Sequence, residues 1–224
     1  MINGVIFDID GTLLDSVDLH AEAWQEAFRH FGHEIPFEEI RSQIGKGGDQ
    51  LLPVFLNPEE LRKEGKALQD FRSSLFKQKY LPRVKPFPGV RELFQRVKQN
   101  GQQIALASSA KDDELQDFER IANIQDLVQV ETSSADAKRS KPQPDIFEVA
   151  LERLGNRVRR EDAIVVGDSP HDAEGAGKAG LRTVGVLCGG FPEAALRQAG
   201  CIALYAGPED LLKRYDESPL AKRE

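Results

Sequence analysis

The strongest fold signal in this sequence is the run Val5-Ile6-Phe7-Asp8-Ile9-Asp10-Gly11-Thr12. A short apolar stretch enters a polar turn with a glycine, which predicts a buried strand followed by a loop. Beyond residue 90, helical patterns alternate with short apolar runs that lack polar alternation. This pattern predicts an α/β fold with a doubly wound (Rossmann-like) parallel sheet covered on both faces. The first strand must belong to that sheet, because one buried strand cannot stand alone.

The residues between about Ser16 and Tyr80 follow a different pattern. Apolar side chains recur there at helical spacing. Asn57 and Pro58 mark one helix start, as N-cap and first helical residue. We therefore expect an inserted all-helical domain of three or four helices at residues 16–82, with an α/β core formed by residues 1–15 and 83–224.

The second part of the core begins after a proline-rich linker. Its patterns predict helices at 90–99, 112–122, 145–154, 172–179 and 193–199. Strands are predicted at 103–107, 128–130, 163–166, 183–187 and near residue 202. Residues 216–224 are polar enough that we expect them to fray.

Composition argues against several classes of protein. The 224 residues carry a formal charge of −7 and no Lys/Arg block longer than two, so nucleic-acid binding is not expected. Since no stretch approaches 18 consecutive apolar residues and no signal peptide is recognisable, we expect neither a membrane span nor secretion. Two cysteines without CxxC spacing indicate neither a zinc site nor a disulfide framework. We expect a cytoplasmic monomer.

Reactive side chains are found where a doubly wound sheet binds its ligands, outside the carboxyl ends of the strands. They follow predicted strands or precede a helix: Asp8, Asp10, Ser108, Ser109, Lys141, Asp168 and Asp172. Convergence of Asp8, Asp10 and Asp168 would be repulsive without a cation, and carboxylate oxygens of this kind suit Mg²⁺. The pattern therefore predicts a magnesium site.

A phosphoryl group is the ligand that fits beside such a metal. Lys141 and Ser108 suit its anionic oxygens. A carboxylate such as Asp8 can then act as nucleophile and form an aspartyl-phosphate, which divides one hard displacement into two easier ones.

Four motifs follow one another in an order typical of a single superfamily. They are Asp8-Ile9-Asp10-Gly11-Thr12-Leu13-Leu14-Asp15, Ala105-Leu106-Ala107-Ser108-Ser109, Lys141-Pro142-Gln143-Pro144-Asp145 and Gly167-Asp168-Ser169-Pro170-His171-Asp172. On these motifs the chain resembles the haloacid dehalogenase superfamily, in its phosphatase and β-phosphoglucomutase-like branch. The resemblance covers nearly the whole chain, and it implies that residues 16–82 form a small helical cap that closes over the site.

The resemblance also implies the chemical roles. Asp8 is the expected nucleophile and a metal ligand. Asp10 is expected to protonate the leaving oxygen and later to activate water, and its backbone carbonyl is a further metal ligand. Asp168 is the remaining side-chain ligand. Dehalogenases of the superfamily lack an aspartate two residues after the nucleophile, so Asp10 implies an alkoxide leaving group.

The remaining implied roles concern phosphate binding. Ser108, the Ser109 backbone amide and Lys141 are expected to hold the phosphoryl oxygens. Asp172 is expected to orient metal-bound water or the lysine.

Two residues of the cap are candidate substrate contacts. His20 matches a cap position found in both sugar-phosphate phosphatases and β-phosphoglucomutases, and Lys46 lies in the loop 45–49 that is expected to face the site. Mutases of this type use an arginine in that loop to hold a second phosphate. No arginine occurs between Arg41 and Arg62, which argues against a mutase, although Lys46 could take the place of that arginine.

The sequence thus predicts a Mg²⁺-dependent phosphatase of small phosphorylated metabolites, such as a sugar phosphate or a phosphoglycolate-like compound. Two alternatives stay open: a hexose-phosphate mutase, and a non-catalytic protein that senses phosphate or binds a partner.

Overall fold

The computed structural model describes residues 2–221. Within them, six parallel strands form one sheet in the order β5-β4-β1-β6-β7-β8. The sheet strands are β1 (Gly4–Phe7), β4 (Gln103–Ala107), β5 (Val130–Thr132), β6 (Ala163–Gly167), β7 (Arg182–Val186) and β8 (Cys201–Tyr205). From β1 the chain crosses to β4 and β5 on one side and returns to β6 on the other. This reversal of direction places a crevice at the carboxyl end of β1.

Helices cover both faces of the sheet, as the apolar strands predict. In the core they are α5 (Val90–Gln99), α6 (Asp112–Ala122), α7 (Asp145–Leu154), α8 (Pro170–Lys178), α9 (Glu193–Gln198) and α10 (Pro208–Lys213). Strand β1 contributes to both layers: Val5 and Phe7 pack with Phe94 on one face, while Ile6 packs with Phe147 on the other. The predicted doubly wound α/β core is confirmed.

The helical insertion lies between two short paired strands, β2 (Leu14–Asp15) and β3 (Lys85–Pro86). Its helices are α1 (Val17–His30), α2 (Phe37–Arg41), α3 (Gly48–Phe55) and α4 (Pro58–Leu75), with a π-helix at Phe76–Tyr80. Trp24, Phe28 and Leu68 belong to a separate apolar cluster within it. Asn57 caps α4, because its side chain accepts hydrogen bonds from the backbone of Glu59 and Glu60. The domain boundaries at 16 and 82 stay predictions.

Most predicted elements in the core have the observed type and place, and α5, α6, α7 and β4 have the predicted bounds. Strand β5 begins two residues later than predicted, because residues 124–128 form turns after α6. Helix α8 begins at Pro170, since Ser169 caps it. Helix α10 was not predicted. Within residues 2–221, no helix is long and apolar enough to cross a membrane.

The expectation that residues 216–224 fray is wrong for the part of the segment that is described; residues 222–224 lie outside the described residues. Leu220 is fully buried, and its carbonyl accepts a hydrogen bond of 2.8 Å from the Gln102 side chain. Tyr215 is buried as well and donates to the Gln102 side-chain oxygen. The C-terminal segment is therefore part of the core packing.

We expect Leu220→Ala to lower the free energy of unfolding by about 2–5 kcal/mol, because it removes a fully buried side chain and leaves a cavity. Urea denaturation measures the change. Ile202→Ala, at an exposed apolar residue, is the control and should change stability by less than about 0.5 kcal/mol. Equal stability of both variants would contradict the placement of the C-terminal segment.

Candidate active site

The parallel register brings the predicted site residues to one edge of the sheet. Phe7 in β1 pairs with Leu106 in β4 and with Val166 in β6. The residues that follow these strands therefore emerge together at the crevice beside β1. The structure brings Asp8, Lys141, Asp168 and Asp172 into direct or near contact there, as the motif order indicated.

Lys141 lies at the centre of this cluster and is only 1 % exposed. Its ammonium group contacts the Asp8 carboxylate and lies 2.8 Å from Asp172 Oδ1. Burial alone would lower the pKa of Lys141, but the charges of Asp172 and Asp8 raise it above its ordinary value. The lysine is therefore a fixed cation at neutral pH, suited to hold an anionic oxygen.

Three buried carboxylates surround this one ammonium group. Asp8, Asp168 and Asp172 each offer an oxygen within 4.8 Å of the others. Burial and the charge of Asp172 together raise the pKa of Asp8 to about 7, although Lys141 lowers it. Burial and Asp8 likewise raise the pKa of Asp168 well above its ordinary value. One lysine cannot neutralise three carboxylates, so the cluster favours a further cation.

The surroundings of Asp168 test whether a metal ion fits. Its Oδ1 accepts a hydrogen bond of 3.2 Å from Thr12, but its buried Oδ2 has no partner among residues 2–221. A Cβ at Gly11 or Gly189 would lie 2.2 or 1.7 Å from that oxygen, so glycine at these positions leaves space beside it. Hard oxygen ligands with an unpaired carboxylate oxygen suit Mg²⁺.

The Asp10 carboxylate is held apart from the acidic cluster. Its Oδ1 accepts hydrogen bonds from Ser16 Oγ at 2.6 Å and from His20 Nε2 at 2.7 Å. The other ring nitrogen of His20 contacts the Arg72 guanidinium, which can only donate, so Nε2 carries the imidazole proton. Burial would raise the pKa of Asp10, but His20, Ser16 and Arg72 together lower it.

The two serines of the second motif have different surroundings. Ser108 is buried, and its hydroxyl oxygen accepts a hydrogen bond of 3.1 Å from the Ala110 amide, so its proton is free to donate elsewhere. The Ser109 hydroxyl is buried at the cleft and has no partner within the described chain, residues 2–221. Both lie in the loop before α6.

The cap loop 45–49 lies against the core. Lys46 lines the cleft, and its ammonium group donates to Gln43 Oε1 at 2.5 Å. Burial lowers the pKa of Lys46. Asp49 accepts a hydrogen bond of 3.1 Å from the backbone amide of Ser140, next to Lys141. The structure therefore has the cap docked over the site.

The cleft between cap and core is partly enclosed and partly open to solvent. Its lining includes six polar residues that the motifs did not indicate: Gln69, Arg72, Ser73, Lys111, Glu114 and Ser134. Lys111 and Glu114 follow Ser109 within five residues, so their closeness to the second motif in the sequence could have identified them as candidates. Gln69 and Arg72 lie on α4, and one sequence does not tell which face of a cap helix meets the core.

The family model described as haloacid dehalogenase-like hydrolase matches residues 5–186 of the chain. A phosphorylated carbohydrates phosphatase of Thermotoga maritima is 30% identical over 215 residues, which cover 94% of this chain and 97% of that protein. The crystal structure of a hydrolase from Pseudomonas syringae has a TM-score of 0.88 and 25% identity, covering 96% and 98% of the two chains.

Another solved structure represents the mutase side of the branch. It is a Thermotoga maritima protein assigned provisionally as a β-phosphoglucomutase, with a TM-score of 0.67 and 28% identity, covering 96% of this chain and 99% of that one. The motifs, the fold and these matches agree. The chain belongs to the haloacid dehalogenase-like hydrolase family, in its phosphatase and β-phosphoglucomutase-like branch, and it is a phosphoric monoester hydrolase.

Proposed function

We propose that the enzyme is a Mg²⁺-dependent phosphatase of small phosphomonoesters, either a sugar phosphate or a phosphoglycolate-like compound, and that it acts through an aspartyl-phosphate on Asp8. The observation that carries this proposal is the buried cluster in which Lys141 contacts Asp8 and Asp172 while Asp168 keeps an unpaired oxygen. The carbohydrate phosphatase relative supports a phosphorylated small molecule as substrate.

In the first step, an oxygen of the Asp8 carboxylate attacks the phosphorus and the bond to the leaving oxygen breaks. Lys141, the Ser108 hydroxyl and the Ser109 amide bind the phosphoryl oxygens. Asp10 gives a proton to the leaving alkoxide. In the second step, Asp10 takes a proton from water as that water attacks the phosphorus, and the Asp8 carboxylate is released with inorganic phosphate.

Side chains of Asp8 and Asp168 and the backbone carbonyl of Asp10 would hold Mg²⁺, with Asp172 close by. The metal would supply positive charge that offsets the carboxylates and the phosphoryl oxygens. Repulsion between the Asp8 carboxylate and an incoming phosphate would otherwise oppose attack.

Asp10 has to change protonation state during the cycle. The contacts with His20 and Ser16 lower its pKa, so the resting carboxylate is ionised, which is the form that activates water. A bound phosphate dianion nearby raises the pKa of a carboxyl group and favours the protonated form needed for the first step. His20 and Arg72 are therefore proposed to position Asp10.

A hexose-phosphate mutase is the second candidate, because the provisional β-phosphoglucomutase of Thermotoga maritima is 28% identical. Against it, the cap loop carries Lys46 and no arginine. A phosphate-binding protein without turnover is a third, but the chain keeps each residue that the reaction needs.

Phosphate release from a panel of sugar phosphates, phosphoglycolate, nucleotides and p-nitrophenyl phosphate, each with Mg²⁺ or with EDTA, tests the proposal. We expect Mg²⁺-dependent release from at least one natural metabolite. Interconversion of hexose phosphate isomers that depends on a bisphosphate, without net release, would establish the mutase instead. No turnover of either kind would favour the binding protein.

Metal binding is also expected to stabilise the fold. At a Mg²⁺ concentration 100 times the dissociation constant, the gain in unfolding free energy is about 2.7 kcal/mol, which raises the Tm. Asp168→Asn should lose most of this gain because it removes a proposed ligand. Asp126→Asn changes an exposed carboxylate paired with Arg91 and should keep it. The same Mg²⁺-induced shift in all three proteins would contradict the metal site.

A further inference from the structure

One wall of the cleft contains an ion pair between cap and core, of which only the arginine has a role in the proposed reaction. Arg72 on α4 and Glu114 in the first turn of α6 both line the cleft, and Arg72 Nη1 lies 3.7 Å from Glu114 Oε1. The two side chains are only 11 % and 14 % exposed. At 3.7 Å the groups attract one another but form no hydrogen bond.

Each partner therefore keeps unused hydrogen-bonding capacity at the cleft. Within the described part of the chain, residues 2–221, the buried Glu114 Oε1 and Arg72 Nε have no hydrogen-bond partner. A buried polar atom without a partner is costly, and such atoms at a binding cleft are suited to meet a ligand. Trp24 and Phe76 hold the guanidinium in place, with ring centroids 5.3 and 4.9 Å from Arg72 Cζ.

The neighbouring charges limit what this wall can accept. Glu114 offsets the charge of Arg72, and Lys111 lies 3.7 Å from the Asp70 carboxylate. The Arg72 and Glu114 pair thus presents a donor beside an acceptor with no net charge, whereas the positive charges of Lys46 and Lys111 belong to other residues of the lining. A hydroxyl group matches the pair, because a hydroxyl donates one hydrogen bond and accepts others. A carboxylate or a second phosphate only accepts, and it would face the Glu114 carboxylate.

We propose that Glu114, held by Arg72, is a specificity-determining residue that accepts a hydrogen bond from a hydroxyl on the leaving group, so that the enzyme prefers polyol phosphates to esters with a second anion. The inference rests on the proposed phosphatase function and narrows its substrate class. It selects the sugar-phosphate option over the phosphoglycolate-like one.

The test compares kcat/KM for glycerol 3-phosphate with kcat/KM for propyl phosphate, which lacks the hydroxyls, and for phosphoglycolate, which carries a carboxylate. Wild-type enzyme with Mg²⁺ should favour glycerol 3-phosphate over both. In Glu114→Gln, which keeps the side-chain shape, the preference over propyl phosphate should fall about tenfold, because a neutral amide oxygen replaces the charged acceptor and its hydrogen bond is weaker.

Asp113→Asn is the matched control. It removes the same charge one residue away and breaks another contact between cap and core, the 3.0 Å pair with Lys77, but Asp113 does not line this cleft. Its substrate preference should equal that of wild type. An equal loss in both variants would assign the Glu114 effect to cap docking and overturn the inference.

The remaining outcomes separate this inference from the function on which it rests. If wild type hydrolyses the three esters equally well, or if Glu114→Gln keeps the wild-type preference, the hydroxyl-reading role fails while the phosphatase stands. If Mg²⁺-dependent release is absent for all three esters and for the wider substrate panel, the proposed function fails and the inference with it.

Discussion

Asp8→Asn is expected to lower Mg²⁺-dependent phosphate release by about 10⁴-fold or more while the protein remains folded. The amide is a much weaker nucleophile than the carboxylate, and no other side chain in the cluster is placed by the motifs to receive the phosphoryl group. Initial rates of phosphate release from the best substrate of the panel, measured with purified protein, give the loss of activity.

The stability of the same variant gives an independent check. Burial and Asp172 raise the pKa of Asp8 from 3.8 to about 7, so ionisation of Asp8 destabilises the metal-free fold progressively as the pH rises through that interval. Asp8→Asn removes this loss of stability, because the asparagine side chain does not ionise. We therefore expect its Tm, measured with EDTA, to fall less than that of wild type between pH 5 and about pH 8.

Asp113→Asn serves as the control for activity, because it removes a carboxylate outside the cleft. Wild-type turnover in Asp8→Asn would contradict the nucleophile assignment. A collapse of the fold in that variant would instead mean that the Asp8 and Lys141 contact is needed for stability.

Asp10→Asn is expected to slow hydrolysis of an alkyl phosphate by about 10²- to 10⁴-fold and to slow p-nitrophenyl phosphate hydrolysis less. An alkoxide needs a proton as it leaves, whereas p-nitrophenolate scarcely does. Asparagine keeps the shape of Asp10 and its contacts with Ser16 and His20, but it cannot transfer the proton.

The informative quantity is the ratio of the two losses, measured as kcat at saturating substrate. A larger loss for the alkyl phosphate supports the acid role of Asp10 in the first step. Equal losses on both substrates would contradict that role and would leave Asp10 as a base in the second step or as a structural residue.

The sequence was enough to predict that the residues of these motifs lie close together, and the reason is topological. Parallel strands bring their carboxyl ends to one edge, so the residues after β1, β4 and β6 had to converge. The strand register agrees with this, because Phe7 pairs with both Leu106 and Val166 at the carboxyl ends of their strands. His20 and Lys46 were candidate substrate contacts in the cap; both line the cleft, and their contact with a substrate stays a prediction.

What the sequence did not predict depends on tertiary contacts between distant segments. Arg72 and Glu114 are 42 positions apart, and helical periodicity fixes neither the orientation of α4 on the core nor their pairing. The contact between Leu220 and Gln102 could not be predicted either, because the polar composition of the terminal segment does not indicate that it packs on the core. Apolar periodicity predicts which face of a helix is buried, but it does not predict which segment of the chain packs against that face.

Acid quenching of wild-type enzyme during turnover, followed by mass spectrometry of its peptides, tests the central claim most directly. The account predicts one added phosphoryl group on the peptide that contains Asp8, formed with Mg²⁺ and substrate and absent with EDTA. It also predicts a higher fraction of phosphorylated enzyme in Asp10→Asn when p-nitrophenyl phosphate is the substrate, since activation of water is slowed. Steady turnover with no phosphorylated Asp8 at any quench time in either protein would contradict an aspartyl-phosphate mechanism.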